Sequence, residues 1–142
     1  MKITIVTVGK LKEKFWVEAA KEYTKRLSAY CKLETIEVPD DDSKLISIVD
    51  KLSGYKISLC IEAKEFSSEA IAKKISSITL NGQSHIVFII GGSTGLPEDI
   101  KRSSDFKLSF GKITLPHNLA RVVLLEQIYR SFKIINGETY HK

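Results

Sequence analysis

A chain of 142 residues, 43% hydrophobic and 27% charged with three prolines, has the composition of one ordinary globular domain, 1–142, and not that of a disordered or fibrous chain. The apolar run over residues 3–8 is too short for a signal peptide or a membrane span, so a cytoplasmic protein without a membrane segment is expected. The net charge of +5 divides into +5 over residues 1–32, −5 over 33–100 and +5 over 101–142; if the two ends meet they make a basic face suited to a polyanion, although lysine-rich helix faces are also ordinary solvated surface.

In chain order, residues 2–8 alternate into a strand, 9–12 read as a loop, and 13–30 read as an amphipathic helix with Phe15, Ala19, Tyr23 and Leu27 at helical spacing. A strand over 33–38 is broken by Pro39. Asp40, Asp41, Asp42 and Ser43 then supply capping groups for a helix over 45–52. A third strand is expected over 57–61, a helix capped by Ser67 or Ser68 ends near Leu80, and Asn81-Gly82 turns the chain into a strand over 86–90. A short helix over 97–103 and a fifth strand over 106–110 follow. This alternation predicts an α/β fold, a single-domain, mainly parallel sheet with helices on both faces. Cys31 and Cys60 lie outside any C-x-x-C, and His85, His117 and His141 lack ligand spacing, so neither a disulfide nor a metal is expected.

The most informative stretch is 85–99. Ile86 to Ile90 are five consecutive apolar residues, the pattern of a central parallel strand covered on both faces. They run into Gly91-Gly92-Ser93-Thr94-Gly95, where a ligand is expected at the carboxyl end of the sheet. Pro97 suits the first helical position, with Glu98 and Asp99 behind it. The glycine spacing is neither G-x-G-x-x-G nor a P-loop, and two acids in the first turn repel phosphate, so a ligand without phosphate fits better; a bare turn is the plain alternative.

The second stretch, 110–132, leads through Gly111 and Pro116 into a helix. Val122, Leu124, Leu125, Ile128, Tyr129 and Phe132 share one broad apolar face, and Leu119 and Val123 fall on the other side. A helix apolar on two sides needs two partners, its own sheet and a second subunit, unless it is wholly internal. Arg121 interrupts the apolar face in the first turns, where the helix dipole disfavours a cation, and needs an anion: Glu126 of a neighbouring subunit, a ligand carboxylate, an RNA phosphate, or an ordinary ion pair. The chain ends in Tyr140-His141-Lys142, which offers a base-stacking ring, a group that exchanges protons near neutrality and a phosphate-seeking cation, if it is not simply frayed.

The opening 1–10, the Gly91–Gly95 turn, the segment 108–117, the helix sequence 121–130 and the closing Tyr140-His141-Lys142 together resemble the ribosomal RNA large subunit methyltransferase H family of the SPOUT methyltransferases. The resemblance runs the length of the chain, with the segment between Asp42 and Ile57 shorter than is typical. It implies a carboxyl-terminal trefoil knot, a homodimer packed through the knot helices, and S-adenosylmethionine as cofactor, a molecule without phosphate. By motif, Leu59, Gly91 and the loop of Phe110, Gly111, Lys112, Ile113, Thr114 and Leu115 would contact the cofactor, largely through backbone groups. The implied reaction is methylation of N3 of a pseudouridine in 23S ribosomal RNA on the assembled ribosome. His141, Arg121 and Tyr140 would carry the chemistry, with His141 as general base, and Lys10, Lys12, Arg130 and Lys142 would bind RNA.

Other readings stay open on the residues. A SPOUT enzyme of the same build could act on another RNA such as tRNA, or the chain could be a non-catalytic RNA- or ribosome-binding module. A nicotinamide oxidoreductase is suggested only by strand, glycine and helix; the acid that fold wants about 20 residues beyond its loop would fall near Gly111.

Overall fold

The computed structural model describes all 142 residues. Five strands and five helices alternate: β1 (Lys2–Val8), α1 (Lys14–Leu27), β2 (Lys32–Val38), α2 (Asp42–Lys51), β3 (Tyr55–Leu59), α3 (Ser68–Leu80), β4 (His85–Ile90), α4 (Glu98–Ser103), β5 (Phe106–Leu108) and α5 (His117–Ile135). The sheet has the order β2-β1-β4-β3-β5, every pairing parallel, so β4 lies at the centre where its apolar run predicts it. The registers Lys2↔His85 and Tyr55↔Ile86 bring the carboxyl ends of β1, β3 and β4 to the same edge of the sheet.

Strand alternation sorts side chains into two cores. Ile3, Ile5, Ile57, Ile86, Phe88 and Ile90 face α1, α3 and α5, where they meet Leu27, Ile71, Ile75, Ile78, Leu124, Leu125 and Ile128. Val6, Val8, Val38, Val87 and Ile89 face the other way, onto Leu45 and Val49 of α2 and Leu96 and Ile100 beside and within α4. Each fully buried aliphatic side chain here stabilises the fold by about 1.5–3 kcal/mol. Because α5 packs on both α1 and α3, the two basic ends of the chain meet, as one reading of the charge distribution requires.

Local chemistry explains most element ends. The Asp41 carboxylate accepts from the Ser43 and Lys44 backbone N–H groups (3.0 and 3.2 Å) and opens α2 three residues before its predicted start. The Ser67 hydroxyl accepts from Ala70 N–H and opens α3.

Several expectations need correction. Pro97 occupies the N-cap of α4 with extended ψ of 148°, not the first helical position, because the preceding loop arrives extended. β3 begins and ends two residues early, and β5 stops at Leu108, since Ser109 leaves the ladder to organise a loop. The helix α1 ends at Leu27, and its buried residues are Ala20 and Leu27, whereas Phe15 is exposed. No helix is long and apolar enough to cross a membrane.

Candidate active site

A cavity of about 760 Å³ opens at the carboxyl ends of β3, β4 and β5, walled by residues 59–62, 90–96, 108–111 and 113–117 with Lys101 and Ala120. Its size is that of a small-molecule site. The lining mixes glycines and apolar residues, among them Leu59, Leu96, Phe110 and Leu115, with Glu62, Ser93, Thr94, Lys101, Ser109, Thr114 and His117, and has no cluster of cations for a phosphate. Gly91 is fixed there by contact: a Cβ on it would lie 2.6 Å from the carbonyl carbon and oxygen of Gly95. The loop closes on itself through Gly95 N–H donating to Gly92 O at 3.0 Å.

The opposite wall is organised by Ser109. Its buried hydroxyl lies 3.2 Å from Ile61 O and 3.1 Å from Gly111 O, and it accepts from Gly111 N–H at 3.1 Å. Ser109 N–H donates to Lys64 O, tying the segment after β5 to the segment after β3. At the rim, Lys101 Nζ stands 2.6 Å from Glu62 Oε1; the ammonium holds the carboxyl below the usual carboxylate range. His117 stands at the start of α5, and a Cβ on Gly9 would lie 3.8 Å from its Nε2, so the β1–α1 loop borders the same wall.

The carboxyl-terminal residues are docked by a second cluster. Arg130 binds Glu126 through Nη2 (2.7 Å) and Nε (3.3 Å), Tyr140 donates its hydroxyl to Glu126 at 2.9 Å, and the Arg130 guanidinium lies 4.7 Å from the Tyr140 ring centroid. Burial raises the Glu126 carboxyl, but the hydrogen bonds from Arg130 and Tyr140 outweigh it and hold the carboxyl below its ordinary value. Burial, then Glu126, pushes the Tyr140 phenol up to about 12, so it is a donor at neutral pH. Arg130 Nη1 lies 3.1 Å from His141 Nδ1, and His141 Nε2 meets Glu69. A guanidinium only donates, so Nδ1 accepts and the ring proton sits on Nε2, toward Glu69. Tyr30 donates to Glu138, and Lys133 pairs with the same carboxylate at 3.1 Å.

The sequence-predicted residues therefore divide into two groups. Leu59, Gly91, Phe110, Gly111, Ile113, Thr114 and Leu115 line the cavity; Lys112 belongs to the same loop, is exposed and does not line it. His141, Tyr140 and Arg130 lie together further along α5, beyond the cavity lining, with Lys142 exposed at the chain end. Ala120 at the cavity and Arg130 in the cluster are ten helical residues apart, about 15 Å along α5. Arg121 is in neither group: its side chain, 11% exposed, binds Glu37 of β2 at 2.8 Å, the ordinary ion pair among the partners the sequence left open. Lys10 and Lys12 are exposed on the β1–α1 loop. Sequence reasoning missed Ser109, the Glu62–Lys101 pair and His117 as wall-builders; only His117, beside Pro116 at a helix start, carried any local signal. No group of three or more His, Cys, Asp or Glu residues could hold a metal ion.

A parallel α/β sheet with an open cavity where three of its strands end, bordered by the loops after β3, β4 and β5, defines a small-molecule-binding α/β domain. The chain belongs to the SPOUT methyltransferase family, whose sequence model, described as "Predicted SPOUT methyltransferase", matches residues 1–141. It is 50% identical over 159 aligned residues, covering all of both chains, to a Methanococcus maripaludis protein named "Putative ribosomal RNA large subunit methyltransferase H". Among solved structures it superposes with a TM-score of 0.60 at 12% identity on a probable methylase family protein from Haemophilus influenzae, over 99% of this chain and 70% of that one. With a TM-score of 0.51 at 13% identity it also matches a Legionella pneumophila methyltransferase in complex with bound cofactor SAM, over 93% of this chain and 66% of that one.

Proposed function

We propose that this protein is a cytoplasmic, S-adenosylmethionine-dependent methyltransferase that modifies N3 of a pseudouridine in 23S ribosomal RNA on the assembled ribosome. The observation that carries the reading is the cavity at Gly91: lined by glycines and apolar residues, without a phosphate cradle, in a chain half identical throughout to a protein named for large-subunit ribosomal RNA methylation. Loop 91–96, Leu59 and residues 110–115 hold the cofactor chiefly through backbone groups. The carboxyl-terminal part of the chain that contains residues 110–115 is threaded as a trefoil knot. The cofactor supplies an already activated methyl group, so the protein's task is to align the pseudouridine nitrogen and remove its proton.

The proton is assigned to His141 Nδ1. Arg130 occupies that atom in the docked tail, so the guanidinium must turn to the RNA, where it meets phosphate or the developing imide anion, before Nδ1 is free. Tyr140, protonated at neutral pH, orients Arg130 through its ring and through Glu126. Arg121 positions the start of α5 through Glu37, and Lys10, Lys12, Arg130 and Lys142 hold RNA.

The working unit is a homodimer. In one chain the cavity and the His141 cluster are separated along α5; the first part of that helix carries partly exposed Leu119, Val122 and Val123, and Ile113 on the loop leading into it is 81% exposed. A second subunit covers this apolar end and brings a tail to the cavity.

The test is methyl transfer from radiolabelled S-adenosylmethionine to ribosomes lacking the modification, with isolated subunits, free 23S RNA and tRNA alongside. Label at N3 of the pseudouridine only on the assembled particle is the expected result. Label on tRNA, or none despite cofactor binding, overturns the substrate. His141→Ala is expected to lower turnover by about 100-fold or more with unchanged cofactor affinity; unchanged turnover removes His141 from proton transfer.

A further inference from the structure

The β1–α1 loop carries a surface that the cavity does not use. Leu11 turns inward and packs on the core shared by α1, α3 and α5, which leaves Lys10 and Lys12 outside, exposed and without ion-pair partners. Gly9 takes φ of +89°, which sends the loop past His117 at the cavity wall. At the start of α1, Phe15 is 62% exposed, and the Trp16 ring meets it edge-on at a centroid distance of 4.8 Å and an angle of 61°. The edge contact leaves the outer face of Phe15 open. Phe15 lies six positions beyond Gly9, at most about 20 Å of chain, which is the reach of a few nucleotides from the cavity mouth.

Taking the ribosomal RNA reading as its basis, we propose that Phe15, braced by Trp16, is a stacking platform for an unpaired base flanking the target nucleotide, while Lys10 and Lys12 hold the adjoining phosphates. Every base has a π-face, so an open phenylalanine ring between free cations accepts single-stranded RNA whatever its sequence. The charges around Phe15 are mixed, with Glu13 exposed and Glu18 paired to Lys14 at 3.8 Å, but Lys10 and Lys12 form no ion pair within the chain and are the cations left for phosphate, which favours a polyanion as the occupant over a second copy. The platform positions the substrate strand; the identity of the methylated base is read elsewhere.

Trp16 is the sole tryptophan, so its fluorescence reports on the platform directly. Full-length protein is titrated with a mixed-sequence single-stranded RNA of about 12 nucleotides, and with the same strand in duplex. Quenching by the single strand exceeding that by the duplex is expected. Phe15→Ala and Phe15→Leu should weaken single-strand binding and raise the ribosome KM by about 5- to 150-fold, while Phe15→Tyr stays within about twofold of the parent. The double variant Lys10→Ala/Lys12→Ala should lower the slope of log affinity against log salt by about 0.7 for each lost phosphate contact. Cofactor affinity, unchanged in all of these, shows that they fold.

Phe15→Leu behaving as the parent overturns the platform, because apolar area alone would then suffice, as in a protein contact. A change of oligomeric state in Phe15→Ala also overturns it and gives the face to a second copy. The oligonucleotide titration needs no turnover. Failure of methyl transfer by the parent protein with selective quenching intact would therefore count against the ribosomal substrate and not against the platform.

Discussion

At Gly91 the loop after β4 touches itself, and the 2.6 Å that separates a built Cβ from the Gly95 carbonyl leaves no room for any side chain. Gly91→Ala is expected to push the 91–96 segment outward and weaken S-adenosylmethionine binding by about tenfold or more, measured by titration calorimetry, because the same segment is a cavity wall. The two thiols make a separate residue-scale test. Burial pushes Cys31 up to about 11 and also raises Cys60. Alkylation of Cys31 by iodoacetamide at pH 8, followed by mass spectrometry, should run at least about 100-fold slower than that of a free cysteine. At this scale the sequence was legible where a residue's constraint is local. A glycine cluster after an apolar run announces a tight loop, and an arginine on an apolar face announces an anion. The anion itself, Glu37, lies 84 positions away, and Ser109 looks like any serine until Ile61 and Gly111 are brought to it.

The carboxyl-terminal element shows the same division. The apolar face of α5 was readable from periodicity, and Leu124, Leu125, Ile128, Tyr129 and Phe132 are buried as it requires, while Val122, assigned to the same face, stays partly exposed near the helix start. That residues 138–141 fold back was not readable, since the contacts join Tyr30 to Glu138 and Glu69 to His141. Docking carries a definite pH dependence. The Glu126 carboxyl is held below its ordinary value in the folded protein, so its contribution is complete above the unfolded carboxylate pKa, near 4.5, and is lost as pH falls through the lower folded value. Tyr140 ring resonances should therefore move toward their free positions on acidification below that point while the sheet stays intact. In the other direction, Tyr140 should ionise only near pH 12, visible as a late step in ultraviolet titration that Tyr140→Phe removes. Glu126→Gln should loosen the tail by about 1–3 kcal/mol and lower turnover without changing cofactor affinity.

Across the whole molecule, three helices cover one face of the sheet and two cover the other. Ile128, fully buried where α5 meets the larger core, is the residue whose truncation reports on that packing: Ile128→Ala should cost about 2–5 kcal/mol in denaturant unfolding. Alternation of strand and helix made the parallel sheet legible, and the two-sided apolar run 86–90 marked its central strand, but nothing in the run says which strands flank it, so the order was not legible. That order sets a schedule for the nascent chain. β1 pairs on one side with β2, about thirty residues on, and on the other with β4, where Lys2 waits for His85. At about 5–20 residues per second of synthesis, the first strand made keeps one edge open for on the order of ten seconds. An early hairpin-like partner is excluded by the parallel register, so for that interval Ile3 and Ile5 have only α1 to shield them, and the carboxyl-terminal half of the gene product must be made before the amino-terminal half can finish folding.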